Sequence, residues 1–287
     1  MTGNTSRVRF VWRAAVLSGA VAAATLAASW QAQAATAAVP SGAKYVALGS
    51  SYAAGPGIPP TKPGSPPACA RSANNYASQV AAKLKLALTD VTCSGATTAN
   101  ILTTAQSGQG PQIEAVTADT KLVTVTIGGN DVNYVGSLYA YSCQTSGGSG
   151  CAGVDQAAMD TALKSVHTKI GNVVSAVRRR APQAKVLLVN YLTVLPRTGP
   201  ACTGVPLTQA QVDFERGVAS RLRDATAQAA SASGASVIDA ASASATHDAC
   251  SASPWIEKYA PPNGRAGYHP TPTGMAAVAE LVVRHES

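Results

Sequence analysis

Apolar runs of strand length recur along the chain at 45–48, 87–91, 122–127, 185–190 and 236–238, and each is short enough for a strand buried on both faces. Stretches with helical character separate them at 75–84, 96–104, 154–179 and 207–232, with a last one at 273–284 after Pro272. In the fourth of these, Thr208 can cap the helix with Gln211 three residues on, a capping-box spacing. Strands that alternate with helices predict a parallel sheet covered on both faces by right-handed crossovers. No internal repeat or interdomain linker breaks the pattern. Ser51 follows the first run, Gly95 the second and Asn130 the third. In an open doubly wound sheet ligands sit outside the carboxyl ends of the strands, near the switch in strand order, so these three segments are expected on one edge.

The first 34 residues stand apart from this pattern. Arg7, Arg9 and Arg13 precede a 16-residue small and apolar run from Ala14 to Ser29, and Ala32-Gln33-Ala34 follows as a small-x-small cleavage site. This predicts a secretory signal over 1–34 and a secreted, extracellular protein; the run is short and alanine-rich for a membrane anchor. The remaining 253 residues suit one domain with a single large core. Removing the three signal arginines takes the net charge from +8 to +5, without a basic stripe interleaved with aromatics, so nucleic-acid binding is not expected. The one cluster, Arg178-Arg179-Arg180, closes a predicted helix, where cations complement exposed carbonyls.

The six cysteines, Cys69, Cys93, Cys143, Cys151, Cys202 and Cys250, are an even number in a chain expected to be exported, and none has the close spacing of a metal or redox pair. Cys143 and Cys151 bracket the Gly/Ser-rich segment 144–150 and would close a local loop. Nearest-neighbour pairing throughout is the expectation, each bond stabilising by about 2–4 kcal/mol.

The candidate chemistry is acyl transfer. Gly49-Ser50-Ser51 arrives directly after an apolar strand and presents Ser51 as the nucleophile. A serine hydroxyl needs a base. Among four histidines, His285 lies in the C-terminal tail, His167 mid-helix and His247 in a loop near Cys250, whereas Pro270 and the turn after it fix the backbone of His269 just before a helix. His269 is the candidate base. Donors for an oxyanion are available from the Ser51 N–H, the Gly95 N–H and the Asn130 amide; taken singly, Gly95 and Asn130 read better as ordinary turn residues.

Taken together, Gly49-Ser50-Ser51-Tyr52-Ala53-Ala54-Gly55, Cys93-Ser94-Gly95-Ala96-Thr97-Thr98, Gly128-Gly129-Asn130-Asp131 and Tyr268-His269-Pro270 resemble the motifs of the GDSL, or SGNH, hydrolase family, in the right order across the chain after the signal. The likeness is greatest to its secreted actinobacterial esterases and lipases with three disulfides. It implies a flavodoxin-like three-layer α/β/α sandwich on a five-stranded parallel sheet, with Ser51 as nucleophile, Gly95 and Asn130 in the oxyanion hole, His269 as base, and sequential disulfides. The lipase elbow Gly-x-Ser-x-Gly is not met, since Ala53 stands at its second glycine.

Two departures bear on mechanism. Ser50 replaces the aspartate of Gly-Asp-Ser, and Ala266 stands where the family usually has an aspartate three residues before the histidine. The expected orienting group for His269 is therefore a backbone carbonyl, that of Ala266 or another from 264–267; the competing reading is a carboxylate from Asp248 or Glu257. The expected activity is cofactor-free and metal-free hydrolysis of carboxylic esters by a monomer acting on a small-molecule or lipid ester, with at most transient contact with a lipid surface. A carbohydrate O-acetylesterase and a non-catalytic cell-wall binding module are the alternatives. Tyr134, Tyr139 and Tyr141 are named as residues that could line the substrate pocket.

Overall fold

A computed structural model describes residues 1–3 and 38–287, so the segment read as a signal lies outside the described residues beyond its first three. Val39–Ser287 forms one compact unit. Its strands are β1 (Lys44–Gly49), β2 (Ala87–Asp90), β3 (Thr120–Thr126), β4 (Lys185–Val189) and β5 (Ser236–Ile238), at the positions of the five apolar runs. All pair in parallel, in the order β2-β1-β3-β4-β5. The chain steps from β1 outward to β2 and then back across β1 to β3, so the order reverses between β1 and β3. At their carboxyl ends Gly49 pairs with Thr126, and a crevice is expected outside that pair.

The central strands β1, β3 and β4 are buried almost throughout, which is why they read as continuous apolar runs, while the edge strand β2 is partly exposed. Leu48, Leu122, Leu187 and Leu188 are fully buried in this layer, each contributing roughly 1.5–3 kcal/mol by transfer from water. Helix α1 (Ser51–Ala54) is a single turn directly after β1. Helices α2 (Tyr76–Leu84) and α3 (Thr98–Leu102) follow, then α4 (Tyr134–Thr145), α5 (Gln156–Arg180), α6 (Gln209–Ser233), α7 (Ala240–Ala243) and α8 (Pro272–Glu286). Helices α2 and α8 pack together, and α5 packs on α6. With right-handed crossovers running in opposite directions from β1, these pairs cover opposite faces of the sheet.

The caps follow the sequence. Thr208 accepts from the Gln211 N–H while the Gln211 side chain reaches back, completing the predicted capping box of α6. Asn75 caps α2, Asp155 caps α5 and Thr271 caps α8 behind Pro272. At the end of α5, Arg178 donates to the Gly234 carbonyl and Arg180 to that of Val116, so the arginine cluster ties the helix terminus to its neighbours. The disulfides are Cys69–Cys93, Cys143–Cys151 and Cys202–Cys250.

Candidate active site

The turn after β1 is built around a glycine that admits no side chain. Gly49 has φ +143°, and a Cβ there would stand 2.6 Å from the Thr126 carbonyl oxygen. The Gln112 side-chain amide spans this residue, accepting from Gly49 N–H at 2.8 Å and donating to its carbonyl at 3.0 Å. Ser50 then donates its N–H to the Thr126 carbonyl at 3.0 Å, and its hydroxyl lies 3.4 Å from the Tyr191 hydroxyl. A hydroxyl thus occupies the position at which the resemblance places a carboxylate. Ser51 follows as the first residue of α1, with the start of that helix behind it.

His269 reaches Ser51 from the far end of the chain. Ile256 bridges Pro270, and Glu257 N–H donates to the His269 carbonyl at 2.9 Å, which pins the segment before α8 against 255–258. The imidazole Nε2 stands 2.8 Å from Ser51 Oγ, and both residues are buried to 8 % exposure. Nδ1 lies 2.6 Å from the Gly267 carbonyl oxygen. A carbonyl only accepts, so Nδ1 carries the proton and Nε2 presents its lone pair to the serine hydroxyl. Burial pushes the His269 pKa below the ordinary 6.5, with the Gly267 bond opposing, so the ring is neutral near pH 7.

Of the carbonyls of 264–267 expected to orient the ring, it is that of Gly267 rather than Ala266 that faces it. Tyr268 adopts a left-handed φ of +53°, which folds 267–269 tightly enough for the carbonyl two residues back to face the ring. Position 267 admits only glycine, since a Cβ there would run into the Tyr259 backbone. The same carbonyl accepts from the Tyr139 hydroxyl at 2.8 Å. Ala266 lines the cleft instead. Neither alternative carboxylate is turned to the imidazole: Glu257 is paired with Arg265, and Asp248 accepts from Cys250 N–H at 2.8 Å.

Ser51, Gly95, Asn130 and His269 line one cleft of about 330 Å³, walled by Pro56, Ala70, Val135, Gly136 and Ala266. Among the described residues neither the Ser51 nor the Gly95 N–H is given to another acceptor. Asn130 donates one amide hydrogen to the Ala96 carbonyl at 2.8 Å, which leaves its second for the cleft. Asp131 binds Thr98 through both its N–H, at 3.0 Å, and its hydroxyl, at 2.6 Å, so the loop after β3 grips the loop that carries Gly95. The disulfide Cys69–Cys93 supports that loop from the other side, where the Ser94 N–H and hydroxyl both donate to the Cys69 carbonyl.

Two tyrosines behind these groups, Tyr191 and Tyr52, carry no role in the sequence analysis. Tyr191 accepts from Gly129 N–H at 2.9 Å and packs on Tyr52, with ring centroids 4.7 Å apart. Tyr52 donates to the Tyr268 carbonyl at 2.5 Å, and its ring lies 5.3 Å from the imidazole. Burial pushes Tyr191 up to about 12 and raises Tyr52 well above the ordinary tyrosine value, so both remain protonated. Their sequence signal was position: Tyr52 adjoins Ser51, and Tyr191 lies just past the carboxyl end of β4. Of the tyrosines expected as pocket residues, Tyr139 meets the site through the Gly267 carbonyl and the Tyr268 ring, and Tyr134 and Tyr141 are buried in the core. None of the three lines the cleft, because α4 turns Val135 and Gly136 toward it.

Residues 47–277 match the GDSL-like lipase/acylhydrolase family. The chain is 35% identical over 248 residues to Lipase 2 of Streptomyces coelicolor, covering 82% of this chain and 83% of that one. Among solved structures it is similar to an extracellular lipase from Streptomyces rimosus, at 29% identity and TM-score 0.68 over 84% of this chain and 98% of that one. It is likewise similar to phospholipase A1 from Streptomyces albidoflavus, at 26% identity and TM-score 0.69 over 86% of this chain and the whole of that one.

Proposed function

The chain belongs to the GDSL-like lipase/acylhydrolase family and is a carboxylic ester hydrolase, and on that premise we propose that it is secreted and works through a Ser51–His269 dyad. The observation that carries this reading is the 2.8 Å contact between His269 Nε2 and Ser51 Oγ, with the other ring nitrogen committed to a carbonyl. Ser51 Oγ attacks the ester carbonyl carbon while Nε2 takes its proton. The oxygen that becomes negative meets the N–H groups of Ser51 and Gly95 and the free amide hydrogen of Asn130. The imidazolium then gives its proton to the departing alkoxide, leaving an acyl-enzyme. Water, deprotonated by the same nitrogen, releases the acid and restores the serine. Gly267 fills the orienting role of a triad carboxylate but supplies a dipole rather than a full charge.

The acyl chain is assigned to the apolar wall of Pro56, Ala70, Val135 and Ala266. Residues 1–34 are assigned as the signal and 35–287 as the mature domain, with three disulfides suited to an oxidising compartment. A fluorophosphonate is expected to label the wild type and to spare Ser51→Ala. Both Ser51→Ala and His269→Ala should lose turnover of p-nitrophenyl esters by at least on the order of 10³-fold. Labelling that survives in Ser51→Ala removes the nucleophile. Turnover confined to acetylated polysaccharide, with none on longer acyl esters, would favour the carbohydrate O-acetylesterase.

A further inference from the structure

The peptide between Ser94 and Gly95 has its N–H at the cleft and its carbonyl turned away from it. That carbonyl accepts from Gln106 Nε2 at 2.8 Å. We propose that Gln106 is a positioning residue which fixes and polarises this peptide, so that the Gly95 N–H meets the developing oxyanion. The inference rests on the reading of the site given above and extends it to a residue outside the cleft.

The turn geometry makes such a clamp necessary. Ala96 N–H donates to the Cys93 carbonyl at 3.1 Å, closing a four-residue turn with Gly95 third at φ +80°. This is the type II form, and the type I form differs from it mainly by a flip of the central peptide, the one joining Ser94 to Gly95. Glycine at the third position tolerates both. In the flipped form the N–H leaves the cleft and the oxyanion loses a donor. The bonds from Ser94 to Cys69 hold the residue before that peptide, and the Ala96 bond holds the residue after it. Gln106 holds the peptide itself.

Gln106 is itself preset. Its backbone exchanges hydrogen bonds with Gln109 at 2.9 and 3.0 Å, and the Gln109 side chain donates to the Val91 carbonyl at 3.1 Å. A donor on the carbonyl also strengthens the N–H of the same peptide, since bonds in a chain polarise one another. The arrangement has a cost. Gln106 Oε1 is buried without a hydrogen-bond partner among the described residues, and rotating the amide to relieve it would set two oxygens face to face. A residue kept only for packing would not need an amide here.

Two near-isosteric variants test this, Gln106→Met, which deletes the donor and the orphan together, and Gln106→Glu, which opposes the carbonyl with a carboxylate. For Gln106→Met, kcat on a p-nitrophenyl ester is expected to fall about tenfold with KM within about twofold, a part of the loss typical for a whole oxyanion donor. The inhibition constant of phenylboronic acid, whose serine adduct is tetrahedral, should weaken by a similar factor, and the melting temperature should not fall. Gln106→Glu should lose more on both readouts. A kcat within about twofold of wild type in both variants overturns the proposal. So does a loss of kcat with boronate inhibition unchanged, or one that tracks a lowered melting temperature. Ser51→Ala run alongside separates the failures: turnover surviving there removes the site reading and this inference with it, whereas turnover lost there but kept by the Gln106 variants removes this inference alone.

Discussion

At the scale of single residues, the imidazole is governed by burial and by one carbonyl. Because burial lowers its pKa, the proton is harder to add in the folded protein, and the acid limb of kcat/KM should have its midpoint below the ordinary histidine value of 6.5. The same shift bears on folding. A histidine whose folded pKa is depressed contributes full stability above its unfolded value and loses it as pH falls through 6.5 toward the folded pKa. His269→Gln should therefore flatten that part of the stability profile, which a melting series from pH 7 to pH 5 would detect; an unchanged slope would contradict the buried neutral ring. Tyr139 acts on the same carbonyl from the other side. Removing its hydroxyl with Tyr139→Phe leaves His269, among the described residues, as the one side chain bonded to the Gly267 carbonyl, at a cost of about 1 kcal/mol in stability. Since the imidazolium formed in the reaction then has an unshared acceptor, kcat should change by less than about threefold, whereas loss of the carbonyl position itself would cost far more. Ser51, Gly95 and Asn130 were legible as residue types after strands and His269 by the proline turn before the last helix, but which carbonyl of 264–267 orients the ring was not. Which of several adjacent carbonyls faces a ring depends on one backbone angle, the positive φ of Tyr268, and tyrosine gives no sign of it.

At the scale of elements, what the sequence revealed was periodicity, and what it hid was order imposed by neighbours. The five strands and the helices α2, α3, α5, α6 and α8 follow from apolar runs, caps and amphipathic spacing. Helix α4 does not: its sequence, with three tyrosines, two serines and a glycine in twelve residues, has weak helix propensity, and Asn133 before it is left-handed with no side-chain cap. It is helical because Tyr134, Leu138 and Tyr141 on one face, and Val135 and Ser142 on the next, are all buried. Glu215 of α6 lies against it, fully buried with neither oxygen hydrogen-bonded among the described residues. The nearby Ser137 hydroxyl bonds the Tyr134 carbonyl instead. Burial pushes Glu215 up to about 8. Here the sign is opposite to that of the histidine. A carboxyl with a raised folded pKa contributes stability that is fully present below its unfolded value of 4.5 and is lost as pH rises through about 8. Glu215→Gln should thus raise the melting temperature at pH 9 by a few degrees, about 2–4 °C per kcal/mol gained, and by little at pH 5. Equal effects at both pH values would show that the carboxyl is neutralised by something other than burial.

At the scale of the whole molecule, the site is assembled from chain ends 218 residues apart, Ser51 and His269, and from loops that the disulfides tie down. The three bonds are not equivalent. Cys202–Cys250 closes the longest segment, 48 residues, and chain-entropy arguments give it the largest stabilisation, about 4 kcal/mol; Cys143–Cys151 closes 8 residues and should give the least. Cys69–Cys93 spans 24 residues, but it alone holds a loop of the cleft: Cys93 N–H donates to the Gly49 carbonyl, and Ser94 bonds twice to Cys69. Stability and activity should accordingly separate among paired Cys→Ala variants. Loss of Cys202–Cys250 should lower the melting temperature most while leaving kcat well below melting close to wild type. Loss of Cys69–Cys93 should lower kcat by about tenfold or more even where the protein is fully folded, because Ser94 then loses its anchor on Cys69 and the Gly95 N–H is displaced from the oxyanion. Measuring kcat and the melting temperature of the three paired variants decides the matter. If kcat follows the melting temperature in the same rank order, the disulfides act on folding alone and the loop that carries Gly95 holds its shape without them.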